Sequence, residues 1–279
     1  MGAFGGFSDW KSRGLIIECI SALCLVFLRC NPQILDEDLH TEGNLNMMNE
    51  QREKFDFQRI RGVQEGLFIR NINGAVRIAG IGESDEVTIT GWKIVRARTA
   101  EDAKSHIGDI KINVDESSRE LNITTNHPVS GSGVDYRVDY DIQIPELWSI
   151  TADIKNGDIR VSRPRNTLII ILSNGTIDAE DVVASVRANV TNGKVRVKQN
   201  LPERGSCSLS VINGTIDLLL EKNASAELRA RVTTGLVFVE DLSFTAKTST
   251  HHEFSGKLKD GKGRVNLSAT NGVINIKGF

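Results

Sequence analysis

Apolar and polar residues alternate along most of the chain, and the alternation is organised around a recurring Asn-Gly pair. The pair begins at Asn73, Asn156, Asn174, Asn192, Asn213 and Asn271, and Thr234-Gly235 is a degenerate copy. From Asn156 onward the copies are 18, 18, 21, 21 and 37 residues apart, and the last interval leaves room for one unmarked turn of the repeat. Such regular spacing is typical of proteins built from stacked repeats.

Five columns of apolar residues accompany each pair, at six, four and two residues before the Asn and three and five residues after it. In the copy at Asn192 the columns hold Val186, Ala188, Val190, Val195 and Val197. Over seven copies, Asn71 is the one polar residue among 35 such positions, in a chain that is 39% hydrophobic. Since a strand presents alternate residues on opposite faces, each unit is predicted as two half-buried strands joined by a corner.

Two all-β folds accommodate such units. A β-sandwich would pair each strand with its sequence neighbour in antiparallel fashion. A β-solenoid would stack the units in parallel, so that like columns lie above one another. The near-constant period and the identity of the columns favour the solenoid, and the β-sandwich stays as the alternative. Asn and Gly suit the corners because both tolerate a positive φ.

The chain between the first and second copies has a different pattern and is predicted to cap one end of the stack. Its alternating segments begin at Glu86, Asp109, Leu121 and Tyr136. One short helix is predicted from Thr99 to Ile107, with Thr99 as its N-cap and acidic residues in its first turn.

The N-terminal residues 1–30 are predicted to be a signal peptide or membrane anchor. Lys11 and Arg13 precede an apolar run from Leu15 to Leu28, which Glu18 interrupts. This arrangement favours a cytoplasmic N-terminus and an exported domain. A buried helix, or a start near Met47, is the alternative. Residues 31–58 are predicted as a polar linker, and residues 59–279 as the solenoid domain.

Charge and cysteine content exclude several classes of function. Lys and Arg number 34 against 36 Asp and Glu, so no overall basic character indicates nucleic-acid binding. Cys19, Cys24 and Cys30 lie in the N-terminal stretch and leave Cys207 alone in the domain. No disulfide framework and no zinc-ligand spacing is present.

Three groups of residues are candidates for chemical sites. Asp178, Glu180 and Asp181 form an acidic cluster, but the sequence shows no counterpart or basic pattern at like positions in adjacent rungs. His251-His252-Glu253 is predicted as an exposed loop, and Cys207 occupies an inward column as a small core residue. The sequence therefore predicts no catalytic, cofactor-binding or metal site.

Several segments together resemble a known family. They are the early INGAVRI segment, the stretch EVTITGWKIVRARTAEDAKSHIGDIKINV, the strand VDYDIQIP and the serial rungs of Asn-Gly followed by alternating β-branched residues. This layout resembles the bacterial putative-adhesin family of β-solenoid cell-envelope domains, over roughly Phe55 to Phe279. The resemblance implies a right-handed, β-helix-like fold, export or membrane tethering, and no established catalysis.

The expected function is a non-enzymatic binding or scaffold module of the cell envelope, periplasmic, surface-exposed or membrane-anchored. Expected partners are an envelope protein or surface glycan, the membrane through the N-terminal segment, and another copy of the chain through self-association; no cofactor is expected. The alternative is a carbohydrate-active β-helix enzyme, which would need a groove lined by several carboxylates.

Overall fold

The computed structural model describes residues 48–60, 62–82, 85–116, 119–131 and 133–279. The predicted signal peptide or anchor, residues 1–30, lies outside these ranges. Within them, Met48–Phe279 forms one unit of sixteen strands and one short α-helix. None of the described helical segments is long and apolar enough to cross a lipid bilayer.

The strands are β1 Asn49–Ile60, β2 Gly66–Asn73, β3 Val76–Ile81, β4 Glu86–Ala97, β5 Lys111–Asp115, β6 Glu120–Asn126, β7 Val134–Pro145, β8 Ser149–Asn156, β9 Ile159–Ser162, β10 Leu168–Val182, β11 Val186–Gln199, β12 Ser206–Leu220, β13 Ala226–Glu240, β14 Ala246–Ser249, β15 Glu253–Leu258 and β16 Gly263–Gly278. Helix α1, Ala100–His106, continues into a 3-10 turn at Ile107–Asp109.

Each repeat runs through its Asn-Gly corner and stacks on the next repeat in parallel. β10 pairs with β11 so that Asn174 lies beside Asn192 and Gly175 beside Gly193. β11 pairs with β12 in the same column-matched register. This arrangement confirms the β-solenoid, and the β-sandwich alternative is wrong. We call the half of each rung before the corner the pre-corner arm, and the half after it the post-corner arm.

The predicted columns form the core of the solenoid. Every inward position is buried except Val237 and Val239, which lie in the post-corner arm of β13. Asn71 is also buried, and its Nδ2 donates to the carbonyl of Val138 at 2.9 Å. Burial of each aliphatic side chain stabilises the fold by roughly 1.5–3 kcal/mol. The two exceptions are half-buried because, in the part of the chain that the structure describes, no further strand covers that arm of β13.

The order of the last rungs differs from their order in the sequence. β16, which carries Asn271, inserts between β12 and β13. β15 pairs antiparallel with the pre-corner arm of β13, and β14 pairs antiparallel with β15. The prediction of an unmarked turn of the repeat after Thr234 is therefore wrong, because that chain forms a hairpin at the outer edge of the stack.

The chain between the first two copies caps the other end of the stack, as predicted. Beyond β3 on the post-corner arm lie β7, β4 and β1, and beyond β2 on the pre-corner arm lie β6 and β5. The predicted helix is also confirmed. The hydroxyl of Thr99 accepts the backbone N–H of Asp102 at 3.1 Å and so caps the first turn of α1.

The predicted linker at residues 31–58 is wrong over its last ten residues. Residues 49–58 belong to β1, which pairs antiparallel with β4. Phe55 is 8% exposed, and its ring packs edge-on against Tyr140 with centroids 5.3 Å apart. The stretch has few large apolar groups, so its sequence looks like a linker. Two phenylalanines suffice, however, because only one face of this strand is buried.

The corners depend on Gly and Asn for different reasons. Gly193 has φ 142°, and a Cβ there would lie 1.8 Å from the carbonyl oxygen of Gly175 in the rung below. No side chain fits between the backbones of the two rungs at this distance. Asn192 does not adopt a positive φ, contrary to the role expected for Asn. Instead, the Asn side chains of neighbouring rungs hydrogen-bond to one another.

Candidate functional site

Two members of the acidic cluster on the post-corner arm, Asp178 and Glu180, form ion pairs with arginines of the adjacent rungs. Arg160 and Arg196 lie on either side of Asp178 in the parallel register. Arg196 Nη1 donates to Glu180 Oε1 at 2.8 Å and to Asp178 Oδ1 at 3.0 Å. These bonds to Glu180 and Asp178 raise the pKa of Arg196. The expectation of no basic counterpart is wrong, and the arginines make the cluster an ion-pair ladder.

His251 and His252 accept hydrogen bonds from the backbone of β13 through their own carbonyl groups. The carbonyl of His252 accepts the N–H of Val232 at 2.8 Å, and the carbonyl of His251 accepts the N–H of Val237 at 3.0 Å. Both histidines are exposed in the bend between β14 and β15. Glu253 pairs with Arg231 at 2.9 Å. Over the described ranges, no group of three His, Cys, Asp or Glu side chains is placed to hold a metal ion.

Cys207 lies in the core, where its reactivity is suppressed. Its side chain has 0% exposure in the inward column of β12. Burial raises the pKa of the thiol to about 12. Because the thiolate is the nucleophilic form, the residue is a packing group at neutral pH.

The pre-corner arm carries a different outward surface at the end of the stack. Its strands follow one another in the order β12, β16, β13, β15 and β14. Three rows of outward side chains cross these strands, according to their register: Ser206, Arg264, Glu227, Lys257 and Ala246; Ser208, Asn266, Arg229, Ser255 and Thr248; and Ser210, Ser268, Arg231 and Glu253, with Thr250 from the bend.

Three adjoining grooves lie on this surface. A groove of about 310 Å³ follows the second and third rows and includes Arg229, Asn266 and Ser208. A groove of about 250 Å³ shares Arg229, Thr248 and Ser255 with it. The third groove, of about 420 Å³, includes Arg264, which is the register neighbour of Glu227. The three grooves therefore lie side by side on one surface, which is the candidate binding region.

Positive charge predominates along these grooves. The acidic side chains that line them are Glu227 and Glu253, whereas the basic ones are Arg204, Arg229, Arg231, Lys247, Lys257, Lys262 and Arg264. We call the lining of the three grooves the basic face. Lys262 forms an ion pair with Glu203, and Arg231 pairs with Glu253. Since the whole chain has a net charge of −2, the positive charge here is a local feature.

Comparison with known proteins identifies the family. The family model described as Toastrack DUF4097 matches residues 99–277. The chain belongs to the Toastrack DUF4097 family. Its β-solenoid-like fold agrees with the parallel rungs of the structure. The match includes the helix, the serial rungs and all strands of the basic face. A comparison of the Toastrack chain with curated proteins gives no significant match.

Two solved structures resemble the Toastrack chain weakly. A putative cell adhesion protein from Clostridium sporogenes is 15% identical, covers 81% of this chain and 100% of its own, and has a TM-score of 0.42. A putative adhesin from Bacteroides fragilis is 11% identical, covers 81% of this chain and 97% of its own, and has a TM-score of 0.31. The fold described here rests on the family match and on the strand register of the chain itself.

The basic face of the Toastrack domain is not apparent from the sequence alone. Its residues occupy the outward positions, which differ from one rung to the next. A signal was present in the arginines at Arg187, Arg229, Arg231 and Arg264, which all stand at outward positions of pre-corner arms. Their grouping depends on the insertion of β16 beside β13, which the repeat pattern does not reveal.

Proposed function

We propose that this Toastrack protein is a non-enzymatic binding or scaffold module of the bacterial cell envelope. The observation that carries the proposal is the contrast between the two outward surfaces. On the post-corner arm, Asp178 and Glu180 of the predicted acidic cluster are bonded to Arg196. On the pre-corner arm, the grooves of the basic face present cationic and hydroxyl groups on a rigid stack of strands. The first arrangement engages two of the three clustered acids in ion pairs, which disfavours their use in catalysis, and the second suits recognition.

The proposed location of the domain is the exported side of the membrane, with residues 1–30 as signal peptide or anchor. The test is alkaline phosphatase fused after Phe279 of the full chain in a bacterial host. We expect an active fusion, because this phosphatase folds only after export. The matched control lacks residues 1–30 and should be inactive. Equal activity of the two fusions would contradict the proposed location. Inactivity of both fusions would also contradict it, provided that the fusion proteins are produced intact.

The alternative of a carbohydrate-active enzyme needs two carboxylates at a groove, one as acid and one as base or nucleophile. Glu227 and Glu253 line the basic face, but they stand in different outward rows of different strands. Glu253 is also paired with Arg231. This arrangement favours binding of a ligand over its cleavage.

Self-association is proposed on separate evidence. Among the described strands, β13 is the last one of the post-corner side, and no described rung covers its inward residues Val237 and Val239. Outward from the same strand, Leu236 and Phe238 are 39% and 47% exposed. Of this edge, the N–H of Val237 is bonded to the carbonyl of His251 in the bend. An apolar edge that no strand of the described residues covers is a surface for pairing with another chain. Val239→Lys should lower the sedimentation-derived mass of any oligomer, whereas Thr215→Lys, on an interior strand, should not. Equal masses for the wild-type protein and both variants would contradict this use of the edge.

A further inference from the structure

We propose that the basic face binds an acidic polysaccharide, with a sugar carboxylate on Arg229 and sugar hydroxyls on the polar side chains beside it. The inference rests on the proposed binding function and names its ligand class. It concerns the groove of about 310 Å³ that crosses β12, β16, β13 and β15.

Arg229 has the properties of a carboxylate receptor. Its register neighbours are Asn266 on one side and Ser255 on the other, both uncharged. Across the described part of the chain, no ion pair or side-chain hydrogen bond engages its guanidinium, and the residue is exposed. Arg231, two residues further along β13, is instead paired with Glu253. A planar guanidinium binds a carboxylate through two parallel hydrogen bonds, and Arg229 has these donors free.

The surroundings of Arg229 suit a sugar. Ser208, Asn266, Ser255 and Thr248 stand in the same row, so hydroxyl and amide groups flank the guanidinium on both sides. Over the described residues, these four side chains form no hydrogen bonds with other protein groups. The groove volume is at the lower end of the range for small-ligand sites. A row of neutral donors and acceptors beside one cation matches a uronic acid, which has several hydroxyls and one carboxylate.

The remaining charges favour a polymer over a single sugar. Arg264 and Lys257 stand in the neighbouring row, and Arg204 lies in the adjoining groove. Positive charges distributed along neighbouring grooves attract a chain of repeated negative charges and raise its rate of association. The binding should therefore weaken as salt increases.

Two other kinds of anionic partner, single-stranded nucleic acid and an anionic membrane, fit the basic face less well. Sequence-tolerant binding of single-stranded nucleic acid uses exposed aromatic platforms, whereas Phe254, the aromatic residue of the main groove, is 6% exposed. Binding to an anionic membrane uses basic residues together with apolar groups that insert into the lipid. Here the exposed Leu236 and Phe238 stand on the post-corner arm of β13, whereas the basic face lies on the pre-corner arm.

The test is calorimetric titration of the purified full chain with a galacturonic acid oligomer, and with neutral dextran as the comparison polymer. We expect binding of the acidic oligomer and none of dextran. Arg229→Ala should weaken the binding at least tenfold, and Arg229→Lys should weaken it less. Arg77→Ala, an outward arginine at the other end of the solenoid, should leave affinity unchanged. Urea midpoints of all variants establish that each is folded.

Three results would overturn the inference: no binding of the acidic oligomer by the folded wild-type chain, equal binding of dextran, or equal losses in the Arg229 and Arg77 variants. Retention on vesicles of phosphatidylglycerol, or on single-stranded DNA, without binding of the oligomer would also overturn it. Failure here is distinct from failure of the proposed envelope location, because the phosphatase fusion reports location independently of any ligand.

Discussion

The side chain of Asn192 donates from Nδ2 to Oδ1 of Asn174 at 2.8 Å. Its own Oδ1 accepts Nδ2 of Asn213 at the same distance. The series runs through Asn73, Asn156, Asn174, Asn192, Asn213 and Asn271, so six rungs are joined by one ladder of amides. The ladder explains why the corner residue is Asn, since the positive φ of the corner belongs to Gly.

Replacement of a ladder residue should destabilise the domain measurably. Asn192→Ala removes two side-chain hydrogen bonds and leaves two neighbouring amides each short of one partner. We expect the free energy of unfolding to fall by about 1–2 kcal/mol. Urea denaturation of the variant is the measurement. Thr191→Ala, at an exposed neighbouring position outside the ladder, is the control. Equal midpoints for the two variants would show that the ladder adds nothing to stability.

A side chain at a stacked corner should be far more disruptive. In Gly193→Ala, the new Cβ would meet the carbonyl oxygen of Gly175 at 1.8 Å, at a backbone φ that favours glycine. We expect a loss of roughly 3 kcal/mol or more, or failure to fold. Gly108→Ala is the control, because nothing lies within 4 Å of its added Cβ. A Gly193 variant as stable as the Gly108 variant would contradict the close stacking of the rungs.

The phase of the inward columns is tested by adjacent residues on one strand. Val190 is 3% exposed and Thr191 is exposed. Val190→Asp buries a carboxylate without a partner and should cost several kcal/mol, roughly 3–5. Thr191→Asp should cost less than about 1 kcal/mol. The same contrast is expected between Val211→Asp and Ser210→Asp in the next rung. If the Thr191 and Ser210 variants have the lower urea midpoints, the assignment of faces is wrong.

The fold was predictable because its signal is local and repeated. Val186, Ala188 and Val190 alternate with polar residues, and the same alternation returns at each Asn-Gly pair. The helix start at Thr99 was also evident, since an N-cap and acidic first turn are local features. The position of β16 was not predictable, because its inward residues resemble those of every other rung and therefore do not specify their neighbours.

The candidate site was less accessible to sequence reasoning for the same reason. Arg229 and Asn266 are distant in the chain and become neighbours only because β16 pairs with β13. Arg160, Asp178 and Arg196, by contrast, stand in consecutive rungs at the fourth position after each Asn, so their ladder was visible in the sequence. The interpretation of Cys207 as a core residue required only its column, and the residue is fully buried.

The alkylation of Cys207 should show whether the core around it is open to solvent. Burial raises the pKa of its thiol to about 12, so at about pH 8 the folded chain presents neither thiolate nor an accessible sulfur. We expect iodoacetamide to leave the Cys207 peptide unmodified in the folded full chain and to modify it completely in urea. Mass spectrometry of the digested protein resolves this peptide from those of the N-terminal cysteines. Rapid labelling of the native protein would contradict the burial.

Binding without turnover is tested most directly by incubating the full chain with acidic polysaccharide from bacterial envelopes, and with polygalacturonate, while assaying the release of new reducing ends. The predicted result is no release above that of heat-denatured protein, with polymer length unchanged. Polymer cleavage that is retained in Thr191→Ala but lost in Glu253→Gln or Asp178→Asn would contradict the non-enzymatic function and establish the β-helix enzyme in its place.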